Sequence, residues 1–521
     1  MNKLVLTGLL AAGTMTHLQG AQPAGQRPNI LFILSDDHTS QAWGIYGGVL
    51  AEYAHNANIR RLANEGVVLD NCFCTNSISA PSRASILTGL YSHRNGLYTL
   101  ADSLGTSIPT LATLLQANGY HTGLVGKWHI QSQPQGFDYY SIFYDQGEYR
   151  DPTFIESTDP WPGNRRFGER VLGFSTDLVT EKAIRWMKEQ DGNQPFLMCC
   201  HFKATHEPYD YPIRMEHLYD GVTFPEPENL LDWGPETNGR SFKGQTLEEL
   251  ERRWRIASQD PDKWWCRYPG LPFSTEGMQR TAARRASYQK FIRDYLRCGA
   301  TVDDNIGKLL KALDEMNIAD NTIIRMSENR CFFVSVDSDN GMCFLNTFYE
   351  ESARMPFVIR YPKKVPAGKR LDDLILNVDF APTLAEFAGV KMENVQGDSF
   401  VSNLEGNTPT DWRKEIYYRY WTNHAIRPAH FAIRSDRYKL IFYYARNLDM
   451  TDTENFDFTP SWDFYDLQND PHENHNAYND PKYAPVIKQM KKDLLRLRKE
   501  TGDTDGKYPE MQELLEKYYN K

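Results

Sequence analysis

The chain has only one apolar run of any length, and that run is short. Residues 4–15 follow Asn2 and Lys3 and lead to small residues at Gly20-Ala21, so residues 1–21 read as a secretory signal. The run is too short to span a bilayer and no later segment qualifies, so no membrane-spanning helix is expected. No cysteine follows it, which argues against a lipid anchor, and the expected location is periplasmic or secreted. A basic excess is also missing. Lys and Arg number 58 against 68 Asp and Glu, giving a net charge of −10, or −11 once Lys3 is removed with the signal. Nucleic acid is therefore not an expected partner, because a phosphate backbone rewards basic patches. A small anionic substrate stays open, since a local pocket can be positive in an acidic molecule. Cysteine is scarce: eight residues in 521, and Cys72-x-Cys74 and Cys199-Cys200 lack the spacing of a zinc site. Some suit disulfides in an exported protein, whereas Cys199 and Cys200 lie in an apolar run and read as buried thiols. Internal repeats and low-complexity tracts are absent. One last gap is local: no lysine occurs between Lys311 and Lys363.

What is present alternates. Apolar strands are expected over 29–35, 121–126, 195–201, 321–326 and 357–361, and helices over 108–116, 177–189, 288–316 and 379–389. Such alternation implies an α/β fold with a mostly parallel sheet covered on both faces. After residue 405 the texture changes to Tyr-rich antiparallel strands near 415–421, 430–434, 438–444 and 464, then an amphipathic basic helix over 486–500. The expected organisation is a catalytic α/β domain over 22–405, a polar and aromatic insertion over about 209–285, and a smaller sheet-plus-helix domain over 406–521. Ligands of parallel sheets collect at the carboxyl ends of the strands. Asp36-Asp37, Lys127-Trp128-His129 and Lys203 to His206 all fall just after expected strands, which points to one shared site.

Residues 79–89, Ser-Ala-Pro-Ser-Arg-Ala-Ser-Ile-Leu-Thr-Gly, carry the most specific signal. Pro81 suits the first turn of a helix and Gly89 its end. Arg83, four residues on, can lean back over Ser79. The serine is either an ordinary helix cap or an oxygen nucleophile set between a fixed cation and the positive end of a helix dipole. The whole spacing resembles the signature of the type I sulfatases, whose first residue, Cys or Ser, is oxidised to formylglycine. Gly126-Lys127-Trp128-His129 is similar to the family's Gly-Lys-Trp-His motif. Phe202-Lys-Ala-Thr-His-Glu-Pro208 is similar to the segment bearing its acid histidine, and Tyr465-Asp-Leu-Gln-Asn-Asp-Pro471 to its C-terminal part.

The resemblance implies an alkaline-phosphatase-like fold and hydrolysis of sulfate esters on carbohydrates. It makes Ser79 the formylglycine precursor, with Arg83 beside it. Lys127 would hold a sulfate oxygen, His129 would hydrogen-bond the nucleophile, and His206 would protonate the leaving oxygen. Calcium would bind Asp36, Asp37 and residue 79, together with Glu328 and Asn329 from a later strand end. As a hydrate, formylglycine offers one oxygen for attack on sulfur and a second that expels sulfate, an exit an unmodified serine lacks. Serine at this position implies maturation by a serine-type radical enzyme of anaerobic bacteria. Lys203 is either a substrate contact or a solvated rim residue. Tyr417-Tyr-Arg-Tyr-Trp421 with His424 and residues 430–434 resembles sulfatases acting at the 6-position of N-acetylglucosamine. On that basis His424 is a substrate contact or, equally, a structural histidine at a domain interface. The aromatic residues of 209–285 suit sugar stacking or an ordinary core.

The resemblance breaks at one place. The strand end after 321–324 should carry Ser-Asp-(Asn/Gln/His)-Gly and then a lysine shortly before Tyr349-Glu-Glu-Ser352. Ser327-Glu-Asn-Arg330 stands there instead, and the expected lysine falls near Leu345. Glu328 can still ligate through a longer arm and Asn329 through its amide oxygen. Residues 327–348 read as scrambled between ordinary flanks, by decay of the site or by a compensated pair of frameshifts. Losing one cationic contact to a transition-state anion costs about a hundredfold in rate. Two other classes therefore stand beside the sulfatase: an impaired homologue that binds sulfated glycans, and a phosphoester or phosphonate hydrolase of the same superfamily.

Overall fold

Continuous apolar runs are stable as strands only where both faces are covered, and those of this chain occupy the middle of one large sheet. The computed structural model describes residues 27–520, except 162–167, 234, 243–244, 261–266, 329–341, 344–347, 452 and 455–457. The expected signal segment and Asn329 thus lie outside the described residues. The large sheet contains, in chain order, β1 (Asn29–Asp36), β2 (Val67–Leu69), β3 (His121–Gly126), β4 (Tyr139–Phe143), β5 (Thr153–Glu156), β6 (Glu169–Arg170), β7 (Phe196–Thr205), β8 (Thr322–Glu328), β9 (Phe357–Arg360) and β10 (Lys369–Leu371). In space the order is β10-β2-β9-β8-β1-β7-β3-β4-β5-β6. The central strands β8, β1, β7, β3 and β4 run parallel, so their carboxyl ends share one edge.

Residues of β1 alternate between two cores. Ile30, Phe32 and Leu34 pack with Ala80, Ala84 and Ile86 of helix α1 (Ser79–Thr88). Leu31 and Ile33 face Val179 and Ala183 of α2 (Ser175–Lys188) and Val302 and Ile306 of the long helix Arg280–Glu315. The second sheet is an antiparallel meander of β11 (Glu415–Tyr420), β12 (His430–Ser435), β13 (Tyr438–Tyr443) and β14 (Ser461–Asp466). The helix Ala484–Thr501 supplies Ile487, Met490 and Leu494 to the core that this sheet shares with α1. This is the mostly parallel sheet and smaller antiparallel sheet expected from the sequence. Among the described residues no helix is long and apolar enough to cross a membrane.

Three expectations change. β7 does not stop at His201 but runs to Thr205, so Lys203 lies inside a strand. The long helix begins at Arg280, within the expected insertion. The insertion is also less irregular than its composition implies: Leu247–Gln259 is helical, and Tyr209, Phe224, Trp254 and Tyr268 are buried in a core of their own against Tyr288, Phe291 and Tyr295. Those aromatic side chains are core, not a sugar-stacking face. Cys72, Cys74, Cys199, Cys200 and Cys298 are buried free thiols, so no disulfide forms among them.

Candidate active site

The strand ends of the parallel sheet deliver the site. β1 ends in Asp36, paired in register with Thr205 of β7, while Ser35 pairs with Glu328 at the end of β8. Asp36, Asp37 and Glu328 are all buried. Asp37 adopts a left-handed φ of 59°, which turns the chain sharply out of the strand. Its carbonyl is held by Thr205 Oγ1 at 2.8 Å and Tyr295 Oη at 2.5 Å. Burial pushes the Tyr295 phenol well up, and the nearby Glu328 and Asp37 carboxylates add to the rise.

α1 brings the serine. Ile78 occupies the cap position with no side-chain cap bond, and Ser79 is the first helical residue. The serine is therefore not an ordinary cap. It is buried at the positive end of a helix whose every residue is buried, and Gly89 closes that helix in left-handed conformation with its N–H on the Ser85 carbonyl. One turn on, Arg83 Nη1 donates to the Lys127 carbonyl at 2.8 Å, and its Nη2 stands 3.7 Å from Asp36 Oδ1.

β3 brings the lysine. It ends at Gly126, whose φ is 99° and where a Cβ would collide with the His201 carbonyl oxygen. Glycine alone lets the chain leave β3 this close to β7. Lys127 N–H then bonds that same carbonyl at 2.8 Å. Lys127 Nζ, fully buried, pairs with Asp36 Oδ2. Burial pushes the lysine down to about 7, with Asp36 opposing and Arg83 and Lys203 adding to the fall. Lys127 and His129 both meet Gln146, from a turn in which His129 has φ of 59°.

β7 brings the remaining groups. Lys203 is buried, not on a solvated rim; its Nζ lies 3.4 Å from the Gln146 carbonyl and 5.3 Å from the Tyr149 ring centroid. His206 places Nδ1 2.8 Å from the Glu207 carbonyl and Nε2 3.7 Å from Asp37 Oδ2. A carbonyl only accepts, so Nδ1 carries hydrogen and Nε2 is the nitrogen available for proton transfer.

Asp36, Asp37, Arg83, Lys127, His129, Lys203 and His206 thus converge, with Ser79 one turn from Arg83 and Glu328 on the adjoining strand end. His424 pairs with Glu454 at 2.8 Å, on the hairpin between β11 and β12 of the second sheet. Gln146, which the sequence does not mark out, joins the centre by accepting from Lys127 and meeting His129. His201 does so too, its Nδ1 lying 3.2 Å from the Lys127 carbonyl, and burial with Arg83 nearby holds its pKa well down. Neither could be singled out by spacing, since each is a lone polar residue whose role depends on a turn.

For a metal, the donors on offer are three buried carboxylates at adjacent strand ends, the hard oxygen chemistry that calcium prefers. Among the described residues no three His, Cys, Asp or Glu side chains stand as a closed ligand cluster.

A sequence model of the sulfatases matches residues 28–390, the span that holds every one of these groups. The chain belongs to the sulfatase family. It is a sulfuric ester hydrolase. A second model, described as the C-terminal part of N-sulphoglucosamine sulphohydrolase, matches residues 343–500 of this sulfatase. An N-acetylglucosamine-6-O-sulfatase of Bacteroides thetaiotaomicron is 36% identical over 517 residues, covering 92% of this chain and 88% of its own. The sulfatase is also similar to a solved structure of a protein in complex with its substrate D-glucosamine-2-N,6-O-disulfate. The TM-score is 0.81 at 35% identity, over 93% of this chain and all of the other. A phosphonate monoester hydrolase of Agrobacterium radiobacter, 19% identical with a TM-score of 0.66, shares the fold.

Proposed function

We propose that this sulfatase removes 6-O-sulfate from a glucosamine-type sugar in a sulfated oligosaccharide or glycan, using formylglycine made from Ser79 and a bound calcium ion. The observation that carries the reading is the pair of buried cations, Arg83 and Lys127, gathered on Asp36 one helical turn from Ser79. The relatives' substrates, sulfated at the 6-position of glucosamine, support the choice of sugar. The apolar run at 4–15 with Gly20-Ala21 supports export, and a serine-type maturase is the expected partner in biogenesis.

Asp36, Asp37 and Glu328 would hold the calcium, with Asn329 and residue 79 as further oxygen donors. When bound, the ion offsets negative charge on the sulfate oxygens. Arg83 fixes the position of residue 79 and, with Lys127, lays positive charge where the equatorial oxygens gain negative charge. Because both cations are anchored by buried partners, little reorganisation is needed as the reaction proceeds. His206, with Nδ1 spent on a carbonyl, delivers a proton from Nε2 to the departing sugar oxygen.

The absence of lysine between Lys311 and Lys363 favours a second reading, a homologue that binds sulfated glycans and turns them over poorly. The test is to make the protein with a serine-type maturase, confirm residue 79 as formylglycine by peptide mass spectrometry, and offer sulfate and phosphate monoesters of one sugar. Preference for the sulfate ester, lost on calcium chelation and regained on calcium addition, supports the proposal. Saturable binding without release supports the second reading, and preference for phosphate refutes both.

A further inference from the structure

Gln146, in the loop after β4, touches both members of the Lys127–His129 pair. Its two contacts are not interchangeable. Lys127 Nζ donates both to Asp36 and to Gln146, so the Gln146 carbonyl oxygen must face it. The amide nitrogen then lies 3.1 Å from His129 Nε2, and an amide NH2 only donates. His129 Nε2 must therefore accept, which leaves the ring neutral with its proton on Nδ1. Asp145 Oδ1 stands 3.8 Å from this nitrogen and would favour a protonated ring, but that carboxylate is half-exposed and farther away. The Gln146 loop is tied down as well, because its backbone carbonyl accepts from Lys203 Nζ at 3.4 Å.

We propose that Gln146 is a positioning residue that converts the fixed hydrogen-bond direction of Lys127 into a fixed tautomer of His129, so that the histidine donates through Nδ1–H and not through Nε2–H. The proposal assigns a specific hydrogen-bond direction within the sulfatase site and rests on that site's proposed reaction.

The test compares the wild type with Gln146→Glu and Gln146→Met, all matured and calcium-loaded, with histidine-selective 15N labelling and His129→Gln to assign the resonance. Glutamate keeps an acceptor for Lys127 but offers no hydrogen to a neutral Nε2, while methionine keeps the shape and loses both bonds. The expected wild-type spectrum shows His129 protonated on Nδ1 alone, and Gln146→Glu moves a proton onto Nε2. Sulfate release should then fall about ten- to hundredfold in kcat in both variants, the range for losing an outer-shell partner, with KM changing less. A wild-type His129 protonated at Nε2, or Gln146→Glu with unchanged kcat and unchanged shifts, overturns the proposal. Failure of the wild type to release sulfate refutes the sulfatase reaction instead, and the nitrogen shifts of the wild type still decide the tautomer.

Discussion

Arg325 is the residue least suited to where it sits. It lies in the middle of β8, fully buried, with its guanidinium 4.0 Å from the ring centroid of Phe380, 4.1 Å from that of Phe32 and 4.9 Å from that of Phe357. Nη2 donates to Ser327 Oγ at 2.8 Å, but Nε and Nη1 meet no hydrogen-bond acceptor. Burial pushes this arginine down to about 9, with only the Cys72 and Cys199 thiols opposing among the described residues. Stacking on three rings recovers part of the desolvation cost, and the unmet donors keep the rest. Arg325→Met should therefore stabilise the protein by about 2 kcal/mol, read as a raised midpoint in urea; an equal or lower midpoint would show that the ring contacts outweigh the unmet donors. His430 makes a second residue-scale case. It is buried against Tyr418, Tyr420 and Tyr443, and burial pushes it down to about 4 despite its Nδ1 bond to the Pro428 carbonyl. An unfolded histidine protonates near 6.5. Between about pH 6.5 and 4 the unfolded chain binds a proton that the folded chain refuses, so stability falls as pH falls through that window. The slope from this one group is at most about 1.4 kcal/mol per pH unit. His430→Phe should flatten the loss of stability below pH 6.5 relative to wild type, and parallel curves would refute the assignment.

At the scale of elements, the groups of the candidate site are placed by how strands end. Gly126 is the clearest instance, because its left-handed φ and its closeness to the His201 carbonyl set the exit of β3 and hence Lys127. Gly126→Ala should lower thermal stability and abolish sulfate release together; a variant as stable as wild type would show that the crossing can widen without cost. The elements themselves were largely legible in the sequence. β1 and β3 announce themselves as apolar runs because both faces are buried, and the Ser79 helix by Pro81 and Gly89. β7 was cut short at His201 because Lys203 breaks the apolar run, although its stem is buried and its Nζ finds Gln146. The aromatic residues of the insertion gave no period because they build a core with Tyr288, Phe291 and Tyr295 of a distant helix, a partner no local pattern records. His424 resembles a substrate contact by its neighbours in sequence, but its pairing with Glu454 depends on a hairpin fold.

At the scale of the whole molecule, the second sheet is bound to the rest of the chain through residues that flank the candidate site. Tyr418 meets Ser77, two residues before Ser79. Glu350 is gripped by Arg434 and Lys439 at 2.8 Å each, and Lys439 also pairs with Glu473 at 2.8 Å. These groups are buried, so the Glu350 charge depends on Arg434 and Lys439 across the junction. Tyr349, which opens the segment matched to Tyr-Glu-Glu-Ser in the sequence, is 3.2 Å from Asp463 of β14. The stretch that departs from the family pattern, 327–348, thus runs between two well-anchored points, Glu328 in β8 and Tyr349 against the second sheet. The most direct measurement is sulfate release from 6-O-sulfated N-acetylglucosamine, by protein whose residue 79 is verified as formylglycine, beside Ser79→Ala. Release by the mature protein and none by Ser79→Ala is the expected result. No release from any sulfated glucosamine, with formylglycine in place and calcium supplied, would contradict it.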